Sequence, residues 1–409
     1  MRISVALISL TICLSAYGQI MELPEPSGDY TIGTRYLSFV DVSRPEPFML
    51  DTDDHREITV KAWYPAEPEE GAQPAPYLVN SEKIAEEIIK MLGLPPAYVS
   101  IRTHSYLDLP VLQERTPFPV LIFNHGWGEH FSQSTVLMEE LASHGYIVFS
   151  IGHHYEAKFS FYPDGRYIAF DPNNPSERFR KIMKEQSNPD ALQLIEQMFA
   201  AQSDEERELV MRKTNEMLHT TIVEGSQLWA DDIIFFIDQL EALNRDDETF
   251  IGSMDLSRIG VFGVSMGGIA SSQACIRDER IKCGINMDGG ILGGVYNSSI
   301  SQPFMFMSSI RYRGYESIFL ERLTGSGIAV TITNSDHHNF VDGSIFDTSY
   351  SLLGEIDGRR MLAILNEYTL AFFDRFLRGM DSQVLQLDRP GYSEINTVRN
   401  DIWMDIDSQ

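Results

Sequence analysis

Residues Asp255–Gly268 read DLSRIGVFGVSMGG. Arg258–Phe262 has the make-up of a short buried strand, and Ile269–Ile276 continues the segment as a helix. Between them stands a G-x-S-x-G pentapeptide, Gly263-Val264-Ser265-Met266-Gly267, followed by Gly268. A serine raised on a sharp strand-to-helix turn needs neighbours without a Cβ two residues to either side, because strand and helix approach each other closely there. With glycine near 7% of residues, chance supplies such a pentapeptide in about one chain in eight of this length, so the motif alone decides little. The strand before it and the helix after it supply the context the motif requires, and they make Ser265 the candidate nucleophile.

Working outward, buried strands alternate with helices from Pro119 onward. Val120–Phe123 is a continuous apolar run of the kind that parallel sheets cover on both faces. A helix over about Ser132–His144 follows, then a strand at Tyr146–Ile151. Helix Leu228–Asn244 leads into Arg258–Phe262. Further strands are expected at Lys282–Met287, Phe304–Ser308 and Ile328–Thr333, and a last helix, Met361–Leu377, ends at Gly379. This order predicts a doubly wound, mostly parallel α/β sheet in one domain, residues 19–409. Upstream, Tyr30–Asp41 and Ile58–Tyr64 alternate apolar and polar residues as an antiparallel strand pair. Residues 65–79 read as a loop, and Ser81–Leu92 as a helix stopped by Pro95-Pro96.

Residues 155–227 break the alternation. An aromatic stretch from Tyr155 to Phe170 precedes two charged amphipathic helices, about Pro175–Glu185 and Pro189–Leu218. An insertion of this length between sheet strands is expected to fold over the sheet as a helical cap.

The chain has 409 residues, 43% of them hydrophobic and 11% aromatic, enough to bury a large core. A formal charge of −27 excludes nucleic-acid binding, which needs clustered Lys and Arg, and disfavours tight docking on anionic lipid. Met1-Arg2, the apolar run Ile3–Leu14 and Ala16-Tyr17-Gly18 read as a signal peptide, residues 1–18, cleaved before Gln19. Later segments lack an unbroken apolar run of membrane-spanning length, so no stable membrane insertion is expected and the protein should be secreted or periplasmic. Beyond the signal, Cys275 and Cys283 remain, expected as buried free thiols.

The residues that would serve Ser265 follow from what acyl transfer demands. A tetrahedral oxyanion needs two backbone N–H donors aimed at it. The loop His125-Gly126-Trp127-Gly128, directly after the first parallel strand, offers Trp127; the residue after the serine offers Met266. In the chain order Ser, acid, His, the histidines left for a general base are the pair His337-His338, just after strand Ile328–Thr333. Asp288, ending strand Lys282–Met287 before Gly289-Gly290, is placed to orient the imidazole, with Glu316 as the rival. Histidines 125, 130, 153 and 154 with Glu156 invite a metal reading, but no H-E-x-x-H spacing appears, and neither metal nor cofactor is expected.

At this point the chain resembles a known family. Pro119–Ser150, PVLIFNHGWGEHFSQSTVLMEELASHGYIVFS, is similar to the plasma-type platelet-activating-factor acetylhydrolases of the α/β-hydrolase fold, in which a strand, an H-G-x-G loop and an L-A-S-H-G-[FY]-[IV]-V segment come in this order. DLSRIGVFGVSMGG resembles that family's nucleophile turn, with Val264 where a His is common. Cys283–Asp288 resembles the strand that carries its acid, which implies Asp288 rather than Glu316. His337-His338-Asn339-Phe340 resembles its H-x-N-F, which implies His337 as base. The similarity also takes in Trp63-Tyr64-Pro65 and covers most of residues 28–380, while the insertion departs most. The resemblance implies calcium-independent hydrolysis of short or oxidised acyl esters, notably at the sn-2 position of phospholipids. A small ester or phospholipid-like molecule would be the substrate. A carboxylesterase, polyester or lactone hydrolase of the same fold, or a non-catalytic binding protein, are the rival expectations.

Overall fold

The computed structural model describes residues 22–51, 53–346, 352–385 and 392–403. The expected signal peptide, residues 1–18, lies outside them. In chain order the strands are β1 (Ile32–Pro45), β2 (His55–Pro65), β3 (Pro74–Pro76), β4 (Arg102–Leu107), β5 (Phe118–Asn124), β6 (Ile147–His153), β7 (Phe159–Phe161), β8 (Tyr167–Ala169), β9 (Met254–Val264), β10 (Ile281–Met287), β11 (Phe304–Ser308), β12 (Gly327–Ile332) and β13 (Ile395–Arg399). Eleven of them form one sheet in the order β13-β12-β11-β10-β9-β5-β6-β2-β1-β4-β3. From β12 to β6 every pairing is parallel. β2 joins β6, and β13 joins β12, in antiparallel fashion.

The main helices are α1 (Glu82–Leu92), α2 (Thr135–Ser143), α3 (Glu177–Gln186), α4 (Pro189–Ala200), α5 (Asp204–Met217), α6 (Gly225–Asp246), α7 (Met266–Arg277), α8 (Glu316–Glu321) and α9 (Gly358–Phe373). Successive residues of a strand face opposite sides, and both sides here are covered. Leu121 and Phe123 of β5 pack with α2 and α9 on one face. Val120 and Ile122 pack with α6 and α7 on the other. This is why β5 is apolar throughout. The sheet is the mostly parallel, doubly wound α/β sheet expected, and both cysteines are free and buried.

Three local expectations need correction. Residues 65–79 are not all loop: Pro74–Pro76 pairs antiparallel with β4, an edge position where proline's missing N–H costs no ladder bond. The expected helix Pro189–Leu218 is two helices, broken at Ala201-Gln202-Ser203. The Ser203 hydroxyl accepts from Glu206 N–H (3.2 Å), and the Glu206 carboxylate accepts from Gln202 N–H (2.8 Å). A Ser-x-x-Glu sequence there is a helix-start signal that the amphipathic pattern masked. The last helix runs Gly358–Phe373, and a wider turn, Asp374–Arg378, carries the chain to Gly379, which ends it at φ 69°.

The insertion leaves the sheet after β6 and returns at α6. It contains the β7–β8 hairpin, then α3, α4 and α5, capped by Ser176, Asn188 and Ser203. Its apolar faces meet the carboxyl ends of the parallel strands, where such sheets gather ligands at the point of reversed strand order, here between β5 and β9.

Candidate active site

Ser265 is the hinge between β9 and α7. Its backbone stands at φ 56°, ψ −120°, a conformation costing a non-glycine residue about 1–3 kcal/mol. The surroundings hold it there. Ser265 N–H donates to Met287 O (2.8 Å), and its own carbonyl accepts from Ile269 N–H (3.1 Å). A Cβ on Gly267 would lie 2.1 Å from Asn124 O, and one on Gly263 would lie 2.5 Å from Gly267 C. The two glycines of the motif are therefore demanded by backbone-to-backbone contact.

Asp288 follows β10 at a positive φ of 55°. Its N–H is tied to Met307 O (2.8 Å), which turns the side chain toward the end of the neighbouring strand. Asp288 Oδ1 accepts from Ser309 N–H (2.7 Å), and Oδ2 meets His337 Nδ1 at 2.6 Å. The carboxylate is buried, while a quarter of the imidazole is exposed. With Nδ1–H donating to Asp288, Nε2 of His337 carries the lone pair. The loop that presents His337 is stapled locally. Asp336 accepts from His337 N–H (2.6 Å), and Asn339 Oδ1 accepts from both Asp336 N–H and Gly354 N–H (2.8 Å each). His338 turns its backbone N–H to Leu352 O (3.0 Å). Glu316, the rival acid, opens α8 and accepts the Thr331 hydroxyl (2.7 Å).

The His125–Gly128 loop abuts this turn: a Cβ on Gly126 would touch Ser265 Cβ at 3.5 Å. Gly126 N–H donates to Gln133 Oε1 (3.1 Å), and Gly128, at φ 69°, donates to Glu156 O (2.8 Å). Trp127 between them lines the same cleft as Met266, the first residue of α7, whose N–H is among the amides a helix leaves unpaired.

Behind the loop lies a buried network that sequence reading missed. His125 Nε2 accepts from His153 N–H (3.1 Å), so Nδ1 bears the proton and donates to Gly126 O (2.7 Å). Burial, with His153 adding, pushes the His125 imidazole down to about 3, so it is neutral. His153 stacks on Trp229 at 3.9 Å and bridges Asp232 Oδ2 (2.9 Å) to Asn124 Oδ1 (3.1 Å). Asp232 in turn pairs with fully buried Arg56 (2.7 Å). These histidines are thus engaged in holding the loop. No spacing signal links Asp232 on α6 to His153; only the fold brings them together.

The strand ends and the insertion enclose a cleft of about 370 Å³. Ser265, Asp288 and His337 line it from the sheet side, and Ile195, Met198, Phe199, Leu218 and Ile222 line it from the insertion. Its walls are mainly apolar, as small-molecule sites are. Arg311 and Tyr312, after β11, also line it and were not foreseen.

Among solved structures, a ferulic acid esterase from Streptomyces cinnamoneus superposes with a TM-score of 0.70 at 23% identity, covering 93% of this chain and 99% of that one. That likeness shows the α/β-hydrolase fold. By its family and relatives the chain is a serine carboxylic ester hydrolase. It belongs to the family of platelet-activating factor acetylhydrolase, isoform II, which it matches over residues 16–389. The platelet-activating factor acetylhydrolase of Cavia porcellus is 27% identical over 380 residues, 88% of this chain and 78% of that protein. The Bos taurus protein of the same name is 26% identical over 392 residues, 90% and 80% of the two chains. A probable 1-alkyl-2-acetylglycerophosphocholine esterase of Arthroderma benhamiae matches 165 residues at 27%, 34% of this chain and 43% of that one. No helix among the described residues is long and apolar enough to cross a membrane.

Proposed function

We propose that this ester hydrolase is secreted, that it cleaves short acyl esters of platelet-activating-factor-like phospholipids, and that Ser265, His337 and Asp288 are its nucleophile, base and orienting acid. The observation that carries the reading is the 2.6 Å contact between Asp288 Oδ2 and His337 Nδ1 on the cleft that Ser265 enters from its strained turn. His337 Nε2 takes the Ser265 hydroxyl proton as Oγ attacks the ester carbonyl. The N–H groups of Trp127 and Met266 hold the oxyanion. The intermediate collapses as His337 returns the proton to the departing alcohol, leaving an acyl-serine. Water, deprotonated by His337, then releases the carboxylic acid and restores the serine. Asp288 stays ionised throughout and holds the imidazolium.

Residues 155–227 act as a cap over this chemistry, within a single domain of residues 19–409, and no cofactor enters the reaction. A small apolar cleft roofed by the insertion favours short acyl groups. The family and its relatives' names support an sn-2 acetyl or similarly short acyl group on a glycerophospholipid. The test is a set of sn-2 acyl glycerophosphocholines of increasing chain length, with fluorophosphonate labelling mapped by mass spectrometry. Rates falling with chain length and a label on Ser265 are expected. Labelling elsewhere, or a preference for long chains, refutes the assignment. N-terminal sequencing of protein exported by its host should begin at Gln19.

A further inference from the structure

Among the described residues that line the cleft, Arg311 is the one lysine or arginine. It stands in a chain of net charge −27, where an anionic substrate is disfavoured by the general field. Two contacts fix its guanidinium. Nε and Nη2 form a fork on the Asp336 carboxylate, and the planar group lies 4.7 Å from the ring centroid of Phe199, on α4 of the insertion. This geometry leaves Nη1 without a hydrogen-bond acceptor among the described residues. The fork also ties the cation to the reaction centre, because the Asp336 oxygen that receives Nε also accepts the backbone N–H of His337 (2.6 Å). A cation held this way is pre-ordered and sits one carboxylate away from the base. Phe199, Leu352 and Tyr312 line the same cleft.

We infer that Arg311 is a specificity residue that selects esters carrying an anionic group close to the scissile bond. The inference rests on the ester-hydrolase site proposed above and names the substrate class it prefers. A phosphate in the alcohol part and a carboxylate at the far end of a short acyl part share the chemistry that Nη1 would recognise. In either case an oxyanion meets a guanidinium that is already oriented, and the hydrogen bond it forms is charge-assisted.

The experiment compares matched pairs. For the acyl side these are p-nitrophenyl butyrate and p-nitrophenyl hydrogen glutarate; for the alcohol side, the acetate esters of glycerol and of glycerol 3-phosphate. Wild type should favour the charged member of at least one pair by about tenfold or more in kcat/KM, mainly through KM. Whichever pair shows it identifies where the anion sits. Arg311→Gln should abolish that ratio, Arg311→Lys should restore part of it, and added salt should shrink it. Equal kcat/KM on both members of both pairs in wild type overturns the inference, and so does an Arg311→Gln variant that loses the same factor on charged and neutral esters. Should Arg311→Gln fail to fold, glutarate and glycerol 3-phosphate are tested on wild type as competitors of fluorophosphonate labelling at Ser265. Protection by either upholds the inference, and protection by neither overturns it. Turnover of the four esters taken together reports separately on the ester reading: its absence on all four sinks that reading, whereas turnover without charge preference sinks only the role of Arg311.

Discussion

Replacing Asp288 by Asn isolates the acid with little change of shape. Two N–H donors face the carboxylate: Ser309 N–H at Oδ1 (2.7 Å) and His337 Nδ1–H at Oδ2 (2.6 Å). Aspartate accepts both. Asparagine has a single carbonyl oxygen, and a backbone amide cannot change its role, so the oxygen stays with Ser309. The amide NH₂ then faces His337 and forces Nδ1 to become the acceptor. The proton moves to Nε2, where the imidazole can no longer take one from Ser265. Loss of the correct tautomer and of the charge that stabilises imidazolium is worth about 10⁴-fold in kcat, or about 5 kcal/mol. Because both hydrogen bonds persist, the melting temperature should move little. The assay is burst and steady-state hydrolysis of p-nitrophenyl acetate, beside a thermal melt. Glu316→Gln is the control: among the described residues its carboxylate accepts only the Thr331 hydroxyl, and its rate should stay within a few-fold of wild type. An Asp288→Asn enzyme keeping a tenth of wild-type activity, or a collapse in Glu316→Gln instead, refutes the reasoning.

Ser265→Ala should lose at least about 10³-fold in ester hydrolysis and all fluorophosphonate labelling, yet melt as a folded protein. Gly267→Ala places a methyl 2.1 Å from Asn124 O and 2.5 Å from His125 O, so a loss of about 3 kcal/mol or more in urea denaturation is expected, and an unchanged midpoint would contradict the backbone contact. Asp232→Asn strips Arg56 of a buried partner and should cost about 3–5 kcal/mol by the same measurement. His125 is held near 3 in the fold but titrates near 6.5 when unfolded, so its contribution is complete above about 6.5 and is lost as pH falls from there toward 3. Denaturation of wild type and His125→Asn between pH 7.5 and 5 should show the steeper loss in wild type; parallel slopes would mean that His125 is not buried neutral.

Much of this was legible before any coordinates. G-x-S-x-G between a strand and a helix, the H-G-x-G loop after β5, Asp288 at the end of β10 and the histidine pair after β12 are local patterns. Each residue type is dictated by its own turn: no Cβ where backbones meet, and a polar group where a strand ends. What resisted reading was non-local or weakly signalled. Strand β13 pairs with β12 across a long separation and has little pattern of its own, and β3 is three residues at an edge. The break after α4 hid inside a continuous amphipathic period, although Ser203 and Glu206 marked it.

The sequence by itself thus determined the alternating α/β sheet, the turn that carries Ser265, and the short set of candidates for its partners, Asp288 or Glu316 and His337 or His338, because strand periodicity and turn chemistry act over a few residues. The tertiary structure alone decided which groups meet. It set Asp288 rather than Glu316 against His337, buried His153 between Asp232 and Asn124, and brought Arg311 to Asp336 and Phe199 in the lining of the cleft. Hydrogen bonds and ion pairs depend on distances of a few ångströms between residues tens or hundreds of positions apart, and only packing the helices onto the sheet brings those distances about.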